Sequence, residues 1–197
     1  MILRKISIFL TLLIWPLSLF LSNSFGDILD NRQTIFIKDY EAQQKVIRDT
    51  QLYQSIFLAR VFHNKARIVL DKFTDNFFAL TDPNNYFFGF APRQIVGNQN
   101  LVKFPFLSLF FFLIAIYYFK DSKSNRLIAI LIVTFVVLLS CLKNFDKSDF
   151  VLWVPLSLLI VNGINIVSKL KHSQLLFLVY LLFSITELIR IIVVNSI

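Results

Sequence analysis

Four apolar runs crowd the second half of this chain: Phe104 to Phe119, Leu127 to Leu142, Phe150 to Ser168 and Ser173 to Ile197. A fifth uncharged stretch, Ile6 to Gly26, follows the basic start Arg4-Lys5. Between this stretch and the four runs lie roughly eighty mostly polar residues, Ser22 to Lys103. The pattern predicts an all-α integral membrane protein of about five transmembrane helices, carrying a small, mainly helical extracytoplasmic insert. Residues 1-22 form an N-terminal signal anchor or transmembrane helix, 23-103 the insert and 104-197 a four-helix transmembrane region.

The gaps between the runs set the expected orientation. Arg4 and Lys5, then Lys120, Lys123 and Arg126, then Lys169 and Lys171 mark three basic stretches, and these belong in the cytoplasm. The alternate gap, Lys143 to Asp149, balances Lys143 and Lys147 with Asp146 and Asp149, and the end Asn195-Ser196-Ile197 has no charged side chain. This places the chain in the cell membrane with a cytoplasmic N-terminus. Residues 23-103 and the C-terminus are then extracytoplasmic, long translocated segments largely escaping the charge rule. Two readings of the N-terminus stand, because Ser22 and Ser24 suit a signal peptidase, while the uncharged length is enough to span a bilayer. The length favours a retained anchor.

Several runs are short: about sixteen residues cover only about 24 Å as a helix. Lys103, Lys120, Arg126 and Lys143 stand at run ends, where their stems can lie in the apolar layer while the charges reach headgroups. Tyr117, Tyr118 and Trp153 suit an interfacial belt. Pro105 and Pro155 fall in first turns, where a missing N–H costs little.

Within the insert, Gln33 to Ile37 reads as a brief strand. From Gln43 to Leu80 apolar residues recur at helical spacing, notably Phe62, Val69, Phe73, Phe77 and Leu80, which predicts two amphipathic helices. Asp82-Pro83 stops them, and Gly89, Pro92 and Gly97 punctuate a turn-rich loop. So small an insert has little core of its own. Its stripe is expected to rest on the outer ends of the spans, on the membrane surface or on a partner.

With 56% hydrophobic residues in 197, too few polar side chains remain to coat a soluble globule. The net charge of +8 is dispersed along the chain with no nucleic-acid-binding motif, which argues against a nucleic-acid partner. Cys141, the single cysteine, excludes an intramolecular disulfide and a cysteine-built metal site, and no metal or cofactor is expected. Phosphate loops, dinucleotide fingerprints, nucleophile elbows and HExxH are missing, so no catalytic residue is assigned from a motif.

Two groups of candidates follow. Arg60, His63, Arg67 and Arg93, with the aromatic loop Tyr86 to Phe90, form a candidate site for a lipid headgroup or polyprenyl-phosphate, cations holding phosphate and rings flanking the lipid or sugar. The plainer reading is a solvated basic face. Glu187 and Arg190 interrupt the last run at i and i+3, on one helix face, as an intramembrane ion pair. Their place near the outer end favours a structural role. Asn162, Gly163 and Asn165 form a polar patch suited to hydrogen bonding with a neighbouring helix.

The stretches Ala59 to Lys65, Asp82-Pro83-Asn84-Asn85-Tyr86-Phe87-Phe88 and Lys103-Phe104-Pro105-Phe106 resemble an outer segment of bacterial multi-pass proteins. Those proteins are similar to the GT-C glycosyltransferases, which move sugars from polyprenyl-phosphate donors at the outer membrane face. The resemblance covers roughly Ala59 to Phe119 and includes no catalytic motif. It implies an accessory or partial relative, since GT-C enzymes have about a dozen spans and an acidic motif in the first outer loop. Asp27 and Asp30 follow the first run, but at DxxD spacing, which departs from that motif; they are the candidate general bases. The expected function is a noncatalytic multi-pass protein of the cell envelope whose outer domain contacts lipid headgroups or a larger membrane protein. The alternative is a polyprenyl-phosphate-sugar-dependent glycosyltransferase, or a fragment of one.

Overall fold

The computed structural model describes residues 2–21, 34–36, 44, 47, 48, 65–88, 103–118, 123–143, 145 and 148–196. In chain order the long elements are α1 (Ile2–Leu21), α2 (Lys65–Thr81), a single π-helical turn (Asn84–Phe88), α3 (Ser108–Tyr117) and α4 (Lys123–Ser140). A 3-10 turn (Ser148–Leu152), α5 (Trp153–Val167) and α6 (Ser173–Ser196) complete them. The fold is all-helical. Among the described residues, three helices are long and apolar enough to cross a membrane: Ile2–Leu21, Ser148–Val167 and Ser173–Val193. The apolar helices Ser108–Tyr117 and Arg126–Ser140 are shorter. Of the expected brief strand, Thr34 contributes one isolated bridge to Leu142, and Ile35 and Phe36 turn away. One bridge cannot extend into a sheet.

On α1 the buried positions Ser7, Leu10, Thr11, Ile14, Trp15, Ser18 and Leu19 repeat at the helical period and make one inward face. Hydroxyls sit on that face without penalty because they bond their own helix: Ser7 Oγ donates to the Leu3 carbonyl, and Thr11 Oγ1 to the Ser7 carbonyl. With its one proton committed, Thr11 accepts from the Tyr180 hydroxyl at 2.6 Å. Ser108 lies 3.0 Å from the same phenol oxygen and donates to it. A directional chain of hydroxyls thus links α3, α6 and α1 in the bundle interior.

The same contacts order the helices. Thr11 meets Tyr180, and Ile14 packs on Ile191, so α1 and α6 run in the same direction. Ser108 meets Tyr180 and Phe111 stacks on Phe177, so α3 runs against α6. The tight turn at Ser168–Ser173, closed by amide bonds such as Leu170 to the Val167 carbonyl at 2.9 Å, returns α5 into α6. Residues on α6 that face away from the bundle, including Leu175, Leu182, Phe183 and Ile189, are exposed. Of the three long helices α6 buries the smallest share, so it presents the most apolar surface to its surroundings.

Gly163 permits a close approach between α5 and α3. A Cβ at this position would lie 1.9 Å from the Phe111 carbonyl oxygen, so the backbones of α5 and α3 touch there. The polar patch around Asn162 and Asn165 thus has a backbone contact at its centre. Gly163→Ala forces the two helices apart and is expected to cost about 1–3 kcal/mol. Thermal unfolding of the detergent-solubilised protein measures this, and Asn165→Ala, on the same helix, should cost less.

Candidate functional site

The insert is fastened to the bundle by its polar side chains. α2 delivers Asn76, fully buried, whose Nδ2 donates to the carbonyls of Ser140 (3.1 Å) and Leu142 (2.8 Å). These belong to the C-terminal end of α4, where helix geometry leaves carbonyls without partners. Ile35 N–H takes a third carbonyl there, that of Cys141 (3.0 Å). α2 itself stops at Thr81 because Pro83 cannot continue it; Asp82 Oδ1 then accepts the Asn84 amide. Tyr86, on the π-helical turn, reaches back so that its hydroxyl donates to the Leu80 carbonyl at 2.7 Å.

This turn places Asn85 and Tyr86 against the most polar point of the interior. The Lys103 ammonium, buried just ahead of α3, contacts Asp149 Oδ2 on the 3-10 turn that opens α5. It also donates to Asn85 Oδ1 at 2.6 Å, while Asn85 Nδ2 approaches Asp149 Oδ2 at 3.4 Å. The ammonium stands 5.4 Å from the Trp15 ring centre and 5.1 Å from that of Tyr86, within cation–π range of both. Trp15, fully buried on α1, meets Phe104 and Phe150 edge-on at 5.3 and 5.8 Å. Phe104 N–H donates to the Tyr86 carbonyl. Four segments converge on one ion pair.

Its chemistry is that of a clamp. Lys103 has partners in Asp149 and Asn85 and two ring faces around it, and its side chain is 9% exposed against 3% for Asp149. An ammonium so committed neither snorkels, as expected from its place at a run end, nor meets a ligand. Burial pushes the Tyr86 phenol well above its usual range, and the Asp149 charge adds to this, partly opposed by the Asn85 hydrogen bond.

Of the candidate residues read from the sequence, Arg67, Glu187 and Arg190 are among those described. Asp27, Asp30, Arg60, His63 and Arg93 lie outside the described residues. Arg67 is on the exposed face of α2, 3.8 Å from Asp71 one turn on. Glu187 and Arg190 do pair on α6, at 3.7 Å, with Glu187 a quarter exposed and Arg190 more than half. Glu187 Oε2 is buried without a hydrogen-bond partner, so the pair is held by charge and not by a directed bond. Among the described residues no group of three or more His, Cys, Asp or Glu converges in a way that could hold a metal. The clamp escaped the sequence reading because its partners are 46 and 18 residues apart. Only the balanced gap Lys143 to Asp149, where a carboxylate stands directly before an apolar run, signalled it.

Lys103→Met leaves a buried carboxylate unpaired and should cost about 3–5 kcal/mol. Lys103→Met combined with Asp149→Leu should recover much of that loss, because an apolar pair of similar volume requires no dehydration of charge. Unfolding midpoints of both variants test this, and limited proteolysis within α2 should accelerate in the single variant alone.

The raised Tyr86 pKa also has a pH consequence. The folded state holds the phenolic proton more tightly than the unfolded chain, whose ordinary value is 10.0. The resulting stability is complete below about pH 10 and erodes as pH climbs from there toward the folded value. Tyr86→Phe should flatten this alkaline limb in a series of melting temperatures, at the expense of a lower plateau through the lost bond to Leu80.

No family model matches the chain, and no curated protein or solved structure does so either.

Proposed function

We propose that this chain is a noncatalytic multi-pass protein of the cell envelope, with an outer-face insert that contacts lipid headgroups or a larger membrane protein. It crosses the cell membrane about five times, N-terminus in the cytoplasm, with residues 23-103 and the C-terminus outside. α1 stays in the mature protein as the first span. The observation that carries the reading is the Lys103–Asp149–Asn85 clamp: the insert's best-placed polar groups are spent on holding it to the span ends. A platform fixed in this way can present a surface. A base or nucleophile would need an accessible lone pair.

The geometry supports the span arrangement in a further way. Trp15, Tyr86, Lys103 and Asp149 meet at one end of the bundle, the end at which α1 finishes and the approaches to α3 and α5 begin. Alternating direction follows for successive spans. Trp15, Ile14 and Leu19 are fully buried, so removal of α1 would open the centre of the bundle.

Single cysteines in a Cys141→Ala background test the topology. Asn84→Cys should react with a membrane-impermeant maleimide on intact cells, and Lys171→Cys only after permeabilisation. The reverse labelling would overturn the orientation. Asp27→Ala with Asp30→Ala should leave expression and cellular phenotype unchanged; loss of an envelope-glycan phenotype at normal abundance would replace this reading with a glycosyltransferase.

A further inference from the structure

We propose that the end of the bundle opposite the insert is a binding collar for anionic phospholipid headgroups. The inference rests on the membrane-spanning reading above but not on the insert's role.

Position comes from the helix contacts. Thr11 is level with the Tyr180 hydroxyl; Arg4 lies seven residues before Thr11, and Ser173 seven before Tyr180. The start of α1 and the turn between α5 and α6 therefore share one level, where Arg4, Lys5, Lys169 and Lys171 stand. The C-terminal end of α4 is capped by the insert's Asn76, so its beginning, with Arg126, lies at this level too.

The two ends differ in how their charges are used. At the insert end Lys103 pairs with Asp149, Arg190 with Glu187 and Arg67 with Asp71. At the opposite end none of Arg4, Lys5, Arg126, Lys169 and Lys171 has a carboxylate partner among the described residues. Arg4 Nε is moreover buried without a hydrogen-bond partner. Asp121 is the one acidic residue in the three basic stretches of sequence. The backbone contributes little more: α1, α4 and α6 begin here with partial positive charge, and the ends of α3 and α5, with partial negative charge, offset two of the three.

The collar fits a lipid better than a free anion because each cation stands beside large exposed apolar side chains. Ile2 and Ile6 flank Arg4 and Lys5, Leu127 follows Arg126, and Leu170 separates Lys169 from Lys171. A charge above and an apolar side chain below complement a phosphodiester headgroup and its acyl chain. Each basic residue near an anionic surface is expected to be worth about fivefold in binding.

The full chain, reconstituted in vesicles of equal phosphatidylcholine and phosphatidylglycerol, is extracted, and its retained lipids are counted by native mass spectrometry. Wild type should retain phosphatidylglycerol over phosphatidylcholine by at least an order of magnitude. Arg4→Gln/Lys169→Gln/Lys171→Gln should abolish the preference, and Arg4→Lys/Lys169→Arg/Lys171→Arg should keep it. If the neutral triple variant fails to integrate, Lys171→Gln alone, in the exposed turn, should lower the preference about fivefold. Equal retention of both lipids by wild type, or a preference indifferent to these charges, overturns the proposal. Protein that fails to float with the vesicles overturns the membrane reading itself.

Discussion

An ammonium and a carboxylate buried together can persist only if their mutual attraction and their remaining hydrogen bonds offset the loss of water, which costs several kcal/mol for each ion. Lys103 and Asp149 meet that condition through Asn85 and through the ring faces of Trp15 and Tyr86. Because each partner comes from a different segment, the condition is met in one arrangement of the chain. α1, the π-helical turn, the approach to α3 and the 3-10 turn before α5 must all be in place together. Such a pair adds modestly to stability and strongly to uniqueness, since every alternative docking of the insert strands a charge.

Away from the clamp, the bundle relies on close packing and buried hydroxyls. In a lipid surrounding, apolar side chains gain little from meeting one another, so helices associate through fit and hydrogen bonds. Gly163 lets α5 approach the backbone of α3, and the chain from Ser108 through Tyr180 to Thr11 joins three helices. Both devices need no charge. They sit deeper in the bundle than the ion pair, where an unpaired charge would be most expensive.

The resulting molecule has unequal ends. One is covered by α2 and the π-helical turn, with Lys103, Arg190 and Arg67 each paired to a carboxylate and helix-end carbonyls capped by Asn76 and Ile35. The other has lysines and arginines left to the surroundings. Under the proposed membrane-spanning reading, this asymmetry would give the protein a preferred orientation at a polar–apolar boundary. Such an asymmetry suits a platform better than a transport path, which would need polar groups open to both faces.

How much of this was legible in the residues depends on the range of the interaction. Helix class, apolar runs and the stop at Asp82-Pro83 follow from local hydropathy and backbone chemistry, which neighbouring residues determine among themselves; α2 ends at Thr81 accordingly. The Glu187–Arg190 pair was equally readable, because i and i+3 share a face on any helix. Lys103 was not. By sequence it is a cation at the edge of an apolar run, and its stem could as well have carried it to water. Only the tertiary structure decides that Asp149 and Asn85 wait for it inside, because the attraction that holds it acts through space between segments whose separation along the chain has no period.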